Sequence, residues 1–179
     1  MVFYRRNHLA GASYFFTVCL SRELRNRQSS LLIEHIDELR HVFRQVKQQS
    51  PFMIDAMVVL PDHLHAVLTL PRNDADFPAR WKAIKSQFTR ALVGKGVPLI
   101  RNARGEYNVW QRRYWEHTIR NDRDLVHHVD YIHINPLNHG LVSAVADWPY
   151  SSFHRYVKAG VLPIDWASAT QYSESGYGE

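Results

Sequence analysis

Two histidines, His63 and His65, flank a single leucine in the stretch PDHLHAVLTLP at residues 61–71. Side chains two residues apart on a β-strand point to the same face, about 6.5 to 7 Å apart along the strand. Two imidazoles in that arrangement can converge on one metal ion. The pair can equally be a polar strand face, and alone it does not separate the two interpretations. Its position beside a strand corner, and a third candidate ligand further along, favour the metal.

The third candidate lies in HHVDYIHINP at residues 127–136. On a helix His127, Tyr131 and Asn135 are spaced four residues apart and share one face. The opposite, inward stripe is apolar and consists of Leu125, Val129 and Ile132. Asn135 directly precedes Pro136, which must end or bend the helix, so its amide oxygen is expected to point outward from a helix end. A plain C-terminal cap beside a surface tyrosine is the alternative.

A metal held by two imidazoles and an amide oxygen keeps open coordination positions, as catalytic sites do. Mixed nitrogen and oxygen ligands suit Mn²⁺ well and Mg²⁺ less, because Mg²⁺ prefers oxygen, while zinc could bind in a test tube. A tyrosine phenol titrates at about pH 10 and is a poor nucleophile unless a metal polarises the phosphodiester that it attacks. The phosphotyrosine product would conserve the energy of the broken bond. Rejoining would need no nucleotide, and the sequence has no G-x-x-x-x-G-K-[ST] loop.

Several elements must position these residues, and their order predicts an α+β fold with helices packed on a central antiparallel sheet. A strand at 52–60 and a strand at 63–70 meet at the Pro61-Asp62 corner, which predicts an antiparallel hairpin. The other predicted elements are strands at 14–20 and 109–119, helices at 31–49, 78–92 and from Asn121 or Asp122 to Pro136, a mobile loop at 94–108 and a helical turn in SSFHRYVKAG.

The composition describes a globular chain of 179 residues with a net charge of +5 and a single cysteine, Cys19. One cysteine excludes a disulfide framework and a cysteine zinc finger within the chain, and favours a reducing compartment. We find neither a signal peptide nor a membrane span, so a cytoplasmic, nucleoid-associated protein is expected. The modest positive charge favours a nucleic-acid partner. We expect one domain over residues 1–166 and a disordered tail over 167–179.

Five blocks in this order resemble a known family. They are YRRN at 4–7, VVLPDHLHAVLTLP at 58–71, WQRRYWEHTIR at 110–120, HVDYIHINPLNHGLV at 128–142 and WPYSSFHRYV at 148–157. They resemble the HUH single-tyrosine transposases, and within them the REP-associated tyrosine transposases. The likeness covers most of the chain except its tail. It implies an HUH endonuclease fold with a ferredoxin-like core, in which the histidines lie on a middle strand and the tyrosine helix packs across it.

The resemblance also implies roles for individual residues. Tyr131 would be the nucleophile, and His63, His65 and Asn135 would hold a divalent metal, Mg²⁺ or Mn²⁺. His127, Glu116 and His117 are candidates for supporting the site, with strand-end packing as the alternative for the last two. The family cuts single-stranded DNA beside a hairpin, a repetitive extragenic palindrome, and keeps the 5′ phosphate on tyrosine while it releases a 3′ hydroxyl.

Basic residues found independently agree with a hairpin partner. Charged side chains next to aromatic ones, here Trp110 and Trp115, combine phosphate binding with stacking faces. The basic candidates are Arg5, Arg6, Lys82, Lys85, Arg112 and Arg113. Each of them can also be an ordinary solvated charge, so the prediction concerns the group.

Two further functions stay open at this point. A non-catalytic binder of structured nucleic acid would keep the scaffold without cleavage, although the complete set of candidate site residues argues against it. A hydrolase of small phosphoesters would use water as its nucleophile and leave the basic, tryptophan-bearing segment without a role. Insertion-sequence relatives act as dimers that exchange the tyrosine helix, whereas the REP-associated branch implies a monomer, which we favour.

Overall fold

The computed structural model describes residues 7–28 and 30–167. Its strands are β1 Ser13–Cys19, β2 Met53–Val59, β3 His63–Thr69 and β4 Trp115–Thr118. Its helices are α1 Arg22–Arg27, α2 Leu31–Glu34, α3 Ile36–Gln49, α4 Phe77–Gly94, α5 Asp122–Asn138 and α6 Phe153–Lys158, with a 3₁₀ turn at Val145–Asp147. Arg5 and Arg6 lie outside the described residues, and so does the predicted tail apart from Ala167.

The four strands form one antiparallel sheet in the order β2-β3-β1-β4. β2 and β3 are joined by the Pro61-Asp62 corner, as predicted, and β1 lies between β3 and the edge strand β4. With α3 after β1 and α4 after β3, this is a ferredoxin-like arrangement, so the predicted α+β class is confirmed. The site histidines therefore lie on a central strand, β3, which pairs with β2 on one side and with β1 on the other.

One sheet face packs against α3 and α4. Alternate residues of the two central strands point to this face and are buried, as the two-residue period of a strand requires. They meet the apolar stripes of the two helices, whose helical spacing the sequence predicts. The fully buried aromatic members are Tyr14, Phe16, Phe77, Trp81 and Phe88. Burying a large side chain contributes about 1.5 to 3 kcal/mol, so this layer supplies much of the fold's stability.

The other sheet face is covered by α5. Phe15, Val58 and Val67 on the strands pack against Val129 and Ile132, which confirms the predicted inward stripe of this helix. Toward the end of β1 and the start of β3 the same face becomes polar, with residues such as Thr17, His63 and His65. The apolar contact thus fixes α5 on the sheet, and the polar end stays available for chemistry.

Helix boundaries differ from the predictions at two places. The helix predicted over 31–49 is broken at His35, because Leu32 donates its N–H to Pro61 O and turns the short α2 onto the hairpin corner. α5 begins at the predicted cap, where Asn121 accepts from Asp124 N, but it runs two residues past Pro136. A proline in a last turn removes only one N–H donor, so the helix can close beyond it.

The last predicted strand is shorter than expected. Only Trp115–Thr118 pair with β1, whereas Trp110 forms an isolated bridge with Leu20 and is buried. The Trp110 indole donates to the carbonyl of Lys85 on α4, and residues 109–111 keep backbone hydrogen bonds to Cys19 and Ser21 at the end of β1. Residues 94–108 hold no strand and only the end of α4, as expected, and a bridge joins Arg101 to Tyr107 within them. The mobility of this loop stays a prediction.

Candidate active site

A cavity of about 560 Å³ opens at the polar end of the sheet face that α5 covers. β1 and β3 form its floor, α5 forms one wall, and the edge strand β4 contributes its first residue. Its lining residues are Phe15, Thr17, Cys19, Arg25, His63, His65, Trp115, His128, Tyr131 and His139. The cavity therefore brings together the two histidines and the tyrosine that the sequence analysis selected, from segments 66 residues apart.

The two strand histidines meet as the alternation of β3 requires. The ring centroids of His63 and His65 are 4.9 Å apart, and the rings are nearly perpendicular at 85°. The side chains are largely withdrawn from water, with 8% and 3% of each residue exposed. β1 supplies their neighbours across the sheet, because Cys19 pairs with His63 and Thr17 pairs with His65.

Each imidazole has its Nδ1 atom held by a neighbour. His63 Nδ1 lies 2.7 Å from Asp62 Oδ1, and His65 Nδ1 lies 2.9 Å from Thr17 Oγ1. A carboxylate accepts from Nδ1–H, which leaves the Nε2 lone pair of His63 as a ligand atom, as is usual around protein metal sites. Among the described residues, His65 Nε2 is buried and has no hydrogen-bond partner. This orphaned nitrogen fits a metal ion that would bind to it.

The charge states of the site agree with metal binding. Burial, together with the nearby His63 and His139, lowers the pKa of His65 to about 3, so this ring is neutral at pH 7. Burial alone would raise the pKa of Asp62, but the hydrogen bond and charge of His63 and the charge of Arg25 outweigh it and lower that pKa to about 2. A divalent cation binds to a neutral imidazole, as His65 provides, and is favoured by an ionised carboxylate such as Asp62, which contacts His63.

Tyr131 reaches the histidines from the middle of α5. Its ring centroid is 5.1 Å from that of His65 and 5.8 Å from that of Phe15, in edge-to-face contact with both. The side chain is half-buried, and the register of α5 is set by Val129 and Ile132 against the sheet. The helix therefore holds the phenol beside the imidazole pair.

Asn135 lies one helical turn beyond Tyr131, on the same side of α5. It is 2% exposed, and its Oδ1 is buried without a hydrogen-bond partner among the described residues. The position before Pro136 predicts this amide at a helix end and pointing outward, whereas it lies inside the last turns of α5 and is buried. A buried amide oxygen without a partner suits Mn²⁺ or Mg²⁺, and together with the imidazole nitrogens of His63 and His65 it makes a donor set that fits a divalent metal.

Two cavity histidines, His128 within α5 and His139 directly after its last residue, were not among the predicted site residues. His139 follows Tyr131 by eight residues, and its ring is 5.2 Å from that of His63. His128 precedes Tyr131 by three residues, and its ring is 4.8 Å from that of Phe15. The signal for His139 was the same four-residue spacing, but the helix was expected to stop or bend at Pro136.

The proposed supporting residues lie outside the cavity. His127 is exposed on α5. The α5 residue that lines the cavity with Tyr131 is His128, three residues before it, and not His127, four residues before it. Glu116 points to the opposite sheet face, opposite Phe16, and is buried there at 5% exposure. His117 shares the cavity face but lies one row away from His65, beside Phe15.

His117 belongs to a second polar group with Asp124 and His128. Its Nε2 lies 2.8 Å from Asp124 Oδ2, and His128 Nδ1 lies 3.2 Å from Asp124 Oδ1. One donor atom from each residue lies within 4.8 Å of the others, a spacing that can hold a metal ion. Burial favours neutral His128 and lowers its pKa. The carboxylate already joins both rings, so the group fixes β4 to the first turns of α5.

The described basic candidates gather along one open groove, on the side of the sheet that carries α4. Lys82 is exposed there, whereas Lys85 donates its Nζ to Gln111 O at 2.6 Å and so also anchors the segment before β4. Arg112 and Arg113 are exposed on that segment. The groove also holds basic residues that are scattered in sequence and were not predicted, namely Arg22, Arg90 and Arg104.

Comparison with known proteins decides the family. The family model described as "Transposase IS200 like" matches residues 18–135, which include the histidine pair, Tyr131 and Asn135. The chain belongs to the IS200-like transposase family. The expected single-tyrosine transposase membership is thus confirmed, and the protein is a tyrosine transposase.

Curated relatives of this transposase agree. It is 51% identical over 164 residues to the REP-associated tyrosine transposase of Escherichia coli (strain K12), covering 92% of this chain and 90% of the relative. It is 45% identical over 165 residues to a putative REP-associated tyrosine transposase of Haemophilus influenzae (strain ATCC 51907 / DSM 11121 / KW20 / Rd), covering 91% and 92%. The chain therefore aligns with nearly the whole length of both transposases.

A solved structure agrees with the fold of this transposase. The structure is of a REP-associated tyrosine transposase bound to a REP hairpin, and it matches with a TM-score of 0.81 and 47% sequence identity. The match covers 100% of this chain and 99% of that one. Separately, none of the helices within residues 7–28 and 30–167 combines the length and apolarity needed to cross a membrane.

Proposed function

We propose that this transposase cleaves and rejoins single-stranded DNA beside a REP-type hairpin, with Tyr131 as its nucleophile. The observation that carries the proposal is the contact of the Tyr131 ring with the buried pair of His63 and His65, 5.1 Å from His65. The hairpin comes from the relative that was solved with one bound. This assignment implies that the substrate is a chromosomal palindrome and that the protein acts in the cytoplasm.

In cleavage, the Tyr131 phenol oxygen attacks the scissile phosphorus as its proton leaves. A bond forms between phosphorus and the phenol oxygen, and the bond from phosphorus to the 3′ oxygen breaks. The departing oxygen takes a proton and becomes a 3′ hydroxyl, while the 5′ phosphate stays on the enzyme. A 3′ hydroxyl can reverse each step and restore the phenol, so strand transfer needs no nucleotide.

His63, His65 and Asn135 would hold the divalent metal in this proposal. When bound, the metal would polarise the scissile phosphate and offset its negative charge. Asp62 and Thr17 orient the two imidazoles so that each presents Nε2 to the cavity. Mn²⁺ and Mg²⁺ both suit two nitrogens and an amide oxygen, with Mn²⁺ the better match.

Lys82, Lys85, Arg112 and Arg113 would bind the phosphates of the hairpin. Their common groove supports this assignment, because phosphate binding depends on clustered positive charge. Arg22, Arg90 and Arg104 extend the same basic surface. Arg5 and Arg6 belong to this group as a prediction from the sequence alone.

A monomer is the proposed working unit. α5 brings Tyr131 to the histidine pair of the same chain, so both halves of the site are present in one molecule. Exchange of the tyrosine helix between two chains is not needed to complete it. A mixture of two inactive variants, Tyr131→Phe and His65→Ala, tests this directly, because only an exchanged dimer would restore adduct formation.

The decisive experiment tests for a covalent adduct. Single strands that carry the palindromes flanking the protein's own gene are incubated with the protein and Mn²⁺, then run on a denaturing gel. The wild-type chain is expected to form a protein–DNA adduct with a free 3′ hydroxyl on the released strand. Tyr131→Phe is expected to form none, because it lacks only the attacking oxygen.

Tyr150→Phe is the matched control. It removes the same hydroxyl from a residue outside the cavity and should leave adduct formation unchanged. An adduct in Tyr131→Phe would contradict the assigned nucleophile. Tight hairpin binding by the wild type with no cleavage in either metal would instead support the regulatory binder, and phosphoester turnover that survives in Tyr131→Phe would support the hydrolase.

A further inference from the structure

We propose that Trp115 is a stacking platform for a nucleobase next to the scissile phosphate, backed by the ring of His117. This inference rests on the proposed DNA-cleaving function and assigns it a new substrate contact. Trp115 opens the edge strand β4 and lines the same cavity as His65 and Tyr131. The platform would accept an unpaired base by its flat face, without reading its identity.

The sheet register fixes the distance from Trp115 to the metal ligands. Thr17 on β1 pairs with His65 on one side and with Trp115 on the other. Directly paired residues point to the same sheet face, so His65, Thr17 and Trp115 form one row. Neighbouring strands are about 4.8 Å apart, which puts Trp115 about 10 Å from His65 across the cavity floor. A nucleotide that neighbours the reacting phosphate lies within that range.

The indole of Trp115 is supported on one side and open on the other. Its ring is parallel to that of His117 at 6°, with centroids 6.0 Å apart, and Phe15 meets it in edge contact at 5.5 Å. His117 is in turn stacked on His128 at 4.7 Å and joined to Asp124. These contacts fix the orientation of the ring, yet 52% of Trp115 stays exposed.

The surroundings of this exposed ring point to a ligand that stacks on it. A large apolar side chain on a strand is usually buried, whereas aromatic rings left open beside positive charge are typical of surfaces that bind single strands. Arg113 lies with Trp115 along an adjoining cavity that shares Thr17 and Cys19 with the first one. Trp110, by contrast, is buried, and its indole donates a hydrogen bond to Lys85 O. Of the two tryptophans predicted to stack on bases, Trp115 is therefore the one that we assign this role.

The first test measures binding without cleavage, in a Tyr131→Phe background. A hairpin with single-stranded flanks carries one abasic site, which is moved through both flanks, and affinity is measured by fluorescence anisotropy. Loss of one stacked base is expected to weaken binding about tenfold or more at one or two adjacent positions. With Trp115→Leu added, the same abasic sites should change affinity less than about twofold.

The Leu substitution keeps apolar bulk against Phe15 but removes the flat ring. Trp115→Phe keeps a smaller ring and should retain part of the effect at the same positions. Met53→Ala is the matched control, because Met53 is another exposed apolar residue, at 61%, and begins the opposite edge strand β2. Its abasic profile should equal that of the parent protein.

The outcomes separate this proposal from the proposed function. If affinity depends on the position of the abasic site in the same way in the Trp115→Leu protein and in its parent, the proposed stacking platform is wrong. If the parent protein shows no position-dependent loss, or does not bind single strands, the platform is also wrong. If the profile depends on Trp115 while the wild-type chain forms no covalent adduct, the platform stands and the cleavage function fails.

Discussion

At the scale of single residues, the site depends on which ring nitrogen of each histidine is left for a metal. Asp62 and Thr17 occupy the two Nδ1 atoms, so both rings present Nε2. Arg25 forms an ion pair with Asp62 and helps to keep its carboxylate charged. The orientation of the two proposed metal ligands is thus set by residues that are not proposed as ligands themselves.

Asp62→Asn is expected to weaken Mn²⁺ binding about tenfold to a hundredfold, the usual effect of removing a carboxylate behind a ligating histidine. The amide can still hydrogen-bond to His63 Nδ1, but it no longer stabilises the Nδ1–H form by charge. Isothermal titration calorimetry of the apoprotein with Mn²⁺ measures the change. Asp62→Glu should recover part of the affinity.

Asp37→Asn is the control for that experiment, because Asp37 is an exposed carboxylate on α3 and its contact with Arg40 is long, at 3.5 Å. It should leave the affinity for Mn²⁺ unchanged. Equal affinity in the Asp62→Asn and wild-type proteins would show that the carboxylate does not support the ligand. Thermal melts of both variants establish that each remains folded.

At the scale of elements, α5 determines whether the site forms. Its apolar stripe docks on β1, β2 and β3, and the same docking brings Tyr131 and His139 to the cavity that holds the histidine pair. Its start is fixed by Asn121, whose side chain accepts from Asp124 N at 3.0 Å. Asp124 then accepts from the Arg120 N–H and joins His117 on β4. The cap therefore couples the helix start to the edge strand.

Asn121→Ala is expected to lower the free energy of unfolding by about 1 kcal/mol, the usual cost of losing an N-cap side chain. For a domain of this size the melting temperature should fall by about 2 to 4 °C. Chemical denaturation followed by circular dichroism measures the change. Asn121→Ser should retain most of the stability, because serine can accept the same hydrogen bond.

Asn138→Ala provides the matched control at the other end of α5, where the asparagine side chain is exposed. That substitution should change stability by less than about 0.5 kcal/mol, as surface changes usually do. Equal losses for Asn121→Ala and Asn138→Ala would contradict the capping role.

At the scale of the whole molecule, buried neutral histidines make the fold sensitive to acid. His133 on α5 is fully buried, with Nε2 2.9 Å from Ser152 Oγ and its ring against Phe153 and Tyr156. Burial, with the nearby charge of Arg155, lowers the pKa of His133 to about 4. The pKa values of His65 and His128 are also lowered, chiefly by burial.

The sign of the acid effect follows from proton binding. An unfolded histidine has a pKa of about 6.5, so between that pH and about 4 the unfolded chain binds more protons than the folded one. Lowering the pH in this window therefore favours unfolding, and His133 alone should contribute a slope of about 1.4 kcal/mol per pH unit near pH 5. His133→Asn is expected to remove that slope while it lowers stability at pH 7.

Denaturant unfolding between pH 7 and pH 4.5 measures these slopes. His41→Asn is the control, because His41 is exposed on α3, and it should keep the wild-type slope. An unchanged slope in His133→Asn would show that this ring does not carry the acid sensitivity. Asp62, whose pKa of about 2 lies below its unfolded value, acts in a separate and lower window.

The sequence by itself determined the elements and the chemistry of most candidate residues. Two-residue alternation put His63 and His65 on one strand face, and helical spacing put Tyr131 and Asn135 on one helix face. The spacing of apolar residues predicted the strands and the main helices, and the five sequence blocks pointed to the transposase family. The alternation and the helical spacing are local features, because each depends on residues within one strand or one helix, and the five blocks are read from the order of residues along the chain.

Only the tertiary structure decided which surfaces meet. Pairing across the sheet put Thr17 behind His65 and Trp115 in the same row, and alternation on the short β4 sent Glu116 to the other face. The continuation of α5 past Pro136 brought His139 to His63. These contacts join segments far apart in the chain, and their geometry depends on packing of the whole core, which no local period specifies.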